Sequence, residues 1–211
     1  MIKIISFDMD GTLVTSRYVE RVWLEGVPSL YARRHGIGLE EAQRIVYDEY
    51  MSVGTRDLRW YDLSHWLDRF EIDIAHHDLL EMFRADVELY PETEEVLGLL
   101  SEKFDLVVAS NGATEFVEFE LGSYRHHFRE ILSVTSVFGK VKDYPETFLD
   151  LCRHLGAKPD EVVHIGDHRY FDYEVPKEAG LSALYLDRER MESGDHVVHD
   201  LLEAAERVMG M

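Results

Sequence analysis

The chain has 211 residues, 45% of them hydrophobic, enough for one packed core with an accessory module. Its formal charge of -20 excludes nucleic acid and anionic membrane surfaces as partners, and it repels a phosphorylated small molecule unless a bound cation reverses the sign locally. The single cysteine, Cys152, allows no internal disulfide and no Cys-based metal cluster.

The chain opens with IKIISFD at 2–8, an apolar run too short for a signal peptide or a membrane span, and a cytoplasmic protein is the expectation. Four more runs of this kind follow: LVVASN at 106–111, ILSVTS at 131–136, VVHIGD at 162–167 and SALYLD at 182–187. They are near-continuous rather than alternating, the pattern of strands covered on both faces. Helical stretches alternate with them, starting at Pro91, Thr114, Pro145 and Tyr173, and a last one starts at His196. Proline at the start and glycine at the end punctuate several of these. The alternation predicts an α/β fold with a doubly wound parallel sheet and a Rossmann-like core.

Residues 16–90 break that rhythm. They carry no strand pattern and read as about four amphipathic helices, the first from Arg17 with an interruption at Gly26 to Pro28, the others from Leu39, Thr55 and His76. Leu63, Trp66, Leu67 and Phe70 recur at helical spacing and form a packing seam. The expected organisation is therefore a core domain made of 1–15 and 91–211, with an inserted helical domain over 16–90.

Four of the five predicted strands finish in a polar residue: Asp8, Ser110, Asp167 and Asp187. In a parallel sheet these ends share one edge, where open α/β folds build their sites. Asp187 alone reads as a loop-starting polar group. Asp8 and Asp10 are different, because side chains alternate along a strand and both carboxylates can face one way while Met9 turns into the core. Two acids that close repel each other unless a cation or a proton settles between them. Asp167 and Asp172, from GDHRYFD, add to the same edge, and Mg²⁺ is the natural counter-ion because it uses one or two carboxylates and retains waters.

DMDGT at 8–12, SNG at 110–112, KDYPETF from Lys142 and GDHRYFD at 166–172 resemble the four ordered motifs of the haloacid dehalogenase superfamily. The resemblance spans the whole chain, and the helical insertion looks like that family's cap of the first type, in the Mg²⁺-dependent, phosphoglycolate-phosphatase-like branch. It implies hydrolysis of small-molecule phosphate esters, with Asp8 as nucleophile forming an aspartyl-phosphate and Asp10 as general acid and base. It further implies that Ser110, with backbone amides of Asn111 and Gly112, holds the phosphoryl oxygens, and that Lys142 neutralises charge and orients Asp8. Asp8, the backbone carbonyl of Asp10, and Asp167 would bind Mg²⁺, with Asp172 as an outer-shell or alternate ligand. Asp143, Tyr144 and His168 depart mildly from the family pattern.

Lys140 stands two residues before Lys142 and reads as a solvated loop lysine, because the spacing to Pro145 and Phe148 fits Lys142. Asp10 argues against dehalogenation, and the absence of lysine between Lys3 and Lys103 argues against Schiff-base chemistry in the insertion. A phosphosugar mutase of the same fold is the alternative, with Arg56 and Arg59 gripping a second phosphate, although arginines in an acidic helix more often pair with acids such as Asp57 and Asp62. A non-catalytic module that binds phosphate or a partner is a further alternative, disfavoured by Asp10. His164, inside a strand, reads as a core histidine with its polar atoms satisfied. The scarcity of amides, with Asn111 and Gln43 alone in 211 residues, points to a hot habitat. Nothing in the sequence fixes an oligomeric state.

Overall fold

A computed structural model describes residues 1–211. Six parallel strands form one sheet: β1 (Ile4–Phe7), β2 (Asp105–Ser110), β3 (Glu130–Ser133), β4 (Val162–Gly166), β5 (Ser182–Leu186) and β6 (Val197–Val198), in the spatial order β3-β2-β1-β4-β5-β6. β1 therefore lies between β2 and β4, with Phe7 opposite Val108 on one side and Ile165 on the other. The doubly wound parallel sheet expected from the apolar runs is present.

The helices, in chain order, are α1 (Arg17–Arg21), α2 (Val27–His35), α3 (Leu39–Val53), α4 (Leu63–Arg69), α5 (His76–Glu81), α6 (Thr93–Ser101), α7 (Thr114–Leu121), α8 (Val134–Phe138), α9 (Pro145–Leu155), α10 (Val175–Glu178) and α11 (Leu201–Met209). The two faces of the sheet bury separate clusters. Ile5, Phe7, Val108 and Ile165 face α6, α7 and α11 through Leu97, Val117 and Val208, while Ile4, Val107 and Val162 face α9 and α10 through Phe148, Leu151 and Val175. Both faces covered is the reason the strands are apolar at successive positions. α9 begins with Pro145 and ends at Gly156, which takes the left-handed conformation (φ 67°) that lets the chain leave the helix.

The chain divides into two compact units, Met1–Thr15 with Leu89–Met211, and Ser16–Glu88. In the second unit α3 buries Ala42, Val46 and Tyr50, spaced four apart along one face. Tyr50 meets Trp66 edge-on at 4.7 Å between ring centroids, and Trp66 stacks on Phe70 at 5.6 Å. Buried Asp86 is held by the guanidinium groups of Arg17 and Arg21, each at 3.0 Å.

Four sequence expectations need correction. The helix expected from Thr55 begins only at Leu63, after a 3-10 turn over Leu58–Trp60. The stretch from His196 starts as β6, which pairs with Tyr185 and Leu186 of β5, and α11 begins only after Asp200, whose Oδ1 accepts the Glu203 amide at 2.8 Å. The run 131–136 is cut short at Ser133, whose hydroxyl accepts the Ser136 amide and starts α8. Gly26 to Pro28 does not interrupt the first helix, because a π-helical turn over Val22–Gly26 joins α1 to α2, and the carbonyls of Trp23 and Leu24 in the preceding turn accept the Tyr50 hydroxyl at 3.3 Å and the Gln43 side-chain amide at 3.4 Å.

Trp66 is 1% exposed at the centre of the aromatic cluster. Trp66→Ala is expected to cost about 3–5 kcal/mol in urea unfolding; a cost below about 1 kcal/mol would mean that the seam does not hold this unit together.

Candidate active site

β1 delivers Asp8 to the edge of the sheet and keeps its amide in the ladder, donating to Ile165 O at 2.8 Å. The chain then reverses tightly: the amides of Thr12, Leu13 and Val14 all reach Met9 O, and Gly11 N donates to Val14 O. Met9 is fully buried, so it anchors the turn in the core. Gly11 sits at φ +79°, and a Cβ there would stand 2.2 Å from Asp167 Oδ2, so only glycine lets Asp167 approach. Arg188 braces the same loop from outside, donating to Gly11 O at 3.1 Å and Thr12 O at 2.7 Å. Its guanidinium pairs with Glu92 and lies 3.4 Å from the Tyr90 ring centroid.

β2 ends at Ser110, whose Oγ accepts the Gly112 amide at 3.0 Å. A Cβ on Gly112 would stand 3.9 Å from Asp10 Oδ2, which places the Asp10 carboxylate against this loop. The single asparagine has a structural task here: Asn111 Oδ1 accepts the backbone amide of Lys142 at 2.9 Å, tying the lysine-bearing loop to β2. Lys142 itself is 1% exposed. Its ammonium donates to Asp8 Oδ1 at 2.5 Å and to Asp172 Oδ1 at 2.7 Å.

After β4 a π-helical turn over Arg169–Glu174 folds Asp172 back onto the strand end. The His168 amide donates to Asp172 Oδ2 at 3.0 Å, and a Cβ on Gly166 would lie 2.4 Å from Asp172 Cγ, so the close return depends on that glycine. Asp172 Oδ1 also receives His164 Nε2 at 3.0 Å. The carboxylates of Asp8, Asp167 and Asp172 each offer an oxygen within 4.8 Å of the others.

The charges at this edge are unevenly compensated. Burial opposes the ionised form of Asp172, but the Lys142 ammonium and the His164 hydrogen bond outweigh it and hold this carboxyl well below its usual range. Burial likewise works against the charge on Lys142, yet Asp172 and Asp8 keep it protonated above the ordinary lysine range. Asp8 is pushed well above the usual carboxylate value by burial; Lys142 pulls it down, while Asp172 and Asp167 push it up again. Asp167 is raised to about 6 by burial and by the charge on Asp172. One ammonium thus satisfies Asp172 and leaves Asp8 and Asp167 short of positive charge, the condition under which an oxygen-ligated cation fits.

A family profile for haloacid dehalogenase-like hydrolases matches residues 2–180. The chain belongs to that family. The match takes in β1 to β4 and the helices of residues 16–88, and ends before β5. It is 28% identical over 228 residues to the glyceraldehyde 3-phosphate phosphatase of Methanocaldococcus jannaschii, covering 100% of this chain and 99% of the relative. It is 25% identical over 192 residues to a phosphoglycolate phosphatase of Haemophilus influenzae, covering 79% and 78%. A crystal structure of a HAD phosphatase from Thermococcus onnurineus shares the fold with a TM-score of 0.84 at 24% identity, covering 99% and 98%.

In this haloacid dehalogenase-like hydrolase the residues singled out in the sequence divide as follows. Asp8, Lys142, Asp167 and Asp172 converge, and Asp10 meets the Ser110 loop. The Gly112 amide is engaged by Ser110 Oγ, which leaves the serine hydroxyl proton as the donor at this point. Lys140 keeps a side chain 42% exposed, as expected of a solvated loop lysine, and its ammonium pairs with Asp150 at 2.5 Å. Asp187 accepts the Glu192 amide at the start of a loop. Arg59 is held by Asp57 at 2.7 Å, and Asp62 caps α4 instead of pairing with an arginine.

Sequence reasoning missed Arg188, for which no motif exists, and Glu120. The signal for Glu120 was available: it falls on the buried stripe of α7 with Phe116, Val117 and Leu121. It is 3% exposed, and neither carboxylate oxygen has a hydrogen-bond partner. Burial, reinforced by the charge on Asp10, raises it to about 10, so the folded protein keeps a proton that the unfolded chain releases above its ordinary value of 4.5. Stability therefore falls as pH rises from about 5 toward 10. Glu120→Gln is expected to stabilise the metal-free protein by about 3 kcal/mol at pH 7 in urea unfolding, an advantage that shrinks toward pH 5; equal stabilities at both pH values would contradict the neutral assignment.

Proposed function

We propose that this chain is a cytoplasmic, Mg²⁺-dependent phosphatase that hydrolyses small-molecule phosphate monoesters through an aspartyl-phosphate on Asp8. The observation that carries the reading is the buried ammonium of Lys142 at 2.5 Å from Asp8, beside a second carboxylate two residues on and an under-compensated acid cluster. Relatives named for glyceraldehyde 3-phosphate and phosphoglycolate support a small phosphorylated carbon chain as the substrate. No helix is long and apolar enough to cross a membrane.

On this reading Asp8 attacks phosphorus, and Lys142 fixes the oxygen that it holds, so the other carboxylate oxygen is the nucleophile. Lys142 also offsets negative charge as it grows on the phosphoryl group, inside a site where burial strengthens every charge interaction. Asp10 donates a proton to the leaving alcohol. It then takes one from the water that attacks the aspartyl-phosphate, the two halves of one general acid–base role. The Ser110 hydroxyl, with its oxygen already accepting the Gly112 amide, donates its proton to a phosphoryl oxygen. Asp8, the Asp10 carbonyl and Asp167 would hold Mg²⁺, which supplies when bound the positive charge that a phosphate dianion needs to enter this acidic edge. Asp172 keeps Lys142 in place from behind rather than ligating the ion, because both of its oxygens already accept hydrogen bonds.

A hydrolase is favoured over a mutase because Arg59, one of the two candidate grips for a second phosphate beside Arg56, is engaged by Asp57. The test is phosphate release from p-nitrophenyl phosphate with Mg²⁺. Asp8→Asn is expected to abolish turnover, Asp10→Asn to lower kcat by roughly 10²–10⁴, and EDTA to stop the reaction reversibly. Turnover that survives Asp8→Asn would overturn the assignment.

A further inference from the structure

The face of the sheet toward α9 carries a polar pair in an otherwise apolar layer. Ser6 and His164 are direct cross-strand neighbours on β1 and β4, and both are completely buried. The two strands present Ile4, Val162, Ser6 and His164 to the same face, where Phe148 packs edge-on to the imidazole at 5.0 Å. Two apolar residues would fill this space without desolvating a hydroxyl and a ring nitrogen. The pair makes sense through what it reaches: His164 Nδ1 lies 2.9 Å from Ser6 Oγ, and Nε2 lies 3.0 Å from Asp172 Oδ1.

The direction of each hydrogen bond follows from elementary valence. Asp172 is ionised, since it receives the Lys142 ammonium and the His168 amide, and a carboxylate can only accept. His164 Nε2 must therefore carry a hydrogen. Burial lowers the basicity of the imidazole, so the ring is neutral and Nδ1 has a lone pair. Ser6 then donates its hydroxyl proton to Nδ1. The result is one directional chain: Ser6 O–H to His164 Nδ1, His164 Nε2–H to Asp172 Oδ1, and Lys142 N–H to both Asp172 Oδ1 and Asp8 Oδ1.

We propose that Ser6 and His164 are positioning residues for the reaction at Asp8: the Asp172 carboxylate selects the imidazole tautomer, the serine hydroxyl holds the ring by its other nitrogen, the imidazole locks Asp172, and Asp172 aims the Lys142 ammonium at the nucleophile. Without the Nε2–H donor, Asp172 keeps Lys142 and the His168 amide but loses the contact that fixes the direction of Oδ1. Without the Ser6 hydroxyl, Nδ1 loses its buried partner and the ring loses the contact that fixes its orientation toward Asp172. The proposal rests on the assignment of Asp8 as nucleophile for its kinetic arm, and its spectroscopic arm is independent of any activity.

The test combines the two arms on the intact protein with Mg²⁺. Long-range ¹H–¹⁵N spectra at pH 7.5 are expected to show His164 as the Nε2–H tautomer, and Ser6→Ala is expected to keep that tautomer while shifting the Nδ1 resonance as its hydrogen bond is lost. With p-nitrophenyl phosphate, His164→Phe, which keeps the ring volume, is expected to lower kcat by about 10–100-fold with KM little changed. His164→Gln, whose side-chain amide nitrogen reaches the position of Nε2, recovers most of that loss. Ser6→Ala provides the kinetic test if His164→Phe does not fold, with an expected fall in kcat of about 10-fold. An Nδ1–H tautomer in the unaltered protein, or unchanged kcat in folded His164→Phe or Ser6→Ala, would overturn the proposal. Failure of the Asp8 assignment would instead show as turnover surviving Asp8→Asn while the tautomer is unchanged.

Discussion

The buried ion pair between Lys142 and Asp8 is the interaction on which the rest of the site depends. An ammonium removed from water is costly unless it is paired, and here the cost is met by two carboxylates from opposite sides, Asp8 after β1 and Asp172 after β4. The lysine reaches them because its backbone is tied to β2 through Asn111. Three strand ends are thereby held in one geometry by a single side chain. The order of the sheet makes this possible, since β1 lies between β2 and β4.

From that pair follows a division among the acids. Asp172 receives donors on both oxygens and is satisfied by protein groups alone. Asp8 shares the same lysine but stands nearer to Asp167 in its electrostatic difficulty, both being pushed upward by burial and by other carboxylates. Asp167 is the most open to solvent of the three. The edge thus has one acid whose charge is settled and others whose charge calls for a cation. Gly11 and Gly166 are the backbone conditions of this crowding, because a methyl group at either would occupy the space of a carboxylate.

How much of this was legible in the sequence depended on the range of the interaction. The parallel sheet and the polar strand ends were readable because burial on both faces leaves a local signature at each strand, and the motifs single out the ends at which Asp8, Lys142, Asp167 and Asp172 converge. β6 was not readable: two valines next to a good helical stretch carry no pattern, and only pairing with β5 makes them a strand. His164 reads as a satisfied core residue, but the partner of its Nδ1 is Ser6, 158 residues away, and the register that brings them together is absent from any local window. Arg188 was invisible for the same reason, since the carbonyls it holds lie more than 170 residues earlier. Glu120 is the exception, because an acid on an apolar helical stripe can be recognised from spacing alone.

Covalent chemistry at Asp8 underlies every role given to its neighbours, and trapping the intermediate addresses it directly. Enzyme mixed with a small phosphate ester and Mg²⁺, quenched in acid during turnover and digested, should carry a phosphoryl group on the peptide containing Asp8, and this adduct should be absent when substrate is omitted. Turnover with no adduct on that peptide, or an adduct on another side chain, would contradict nucleophilic catalysis by Asp8.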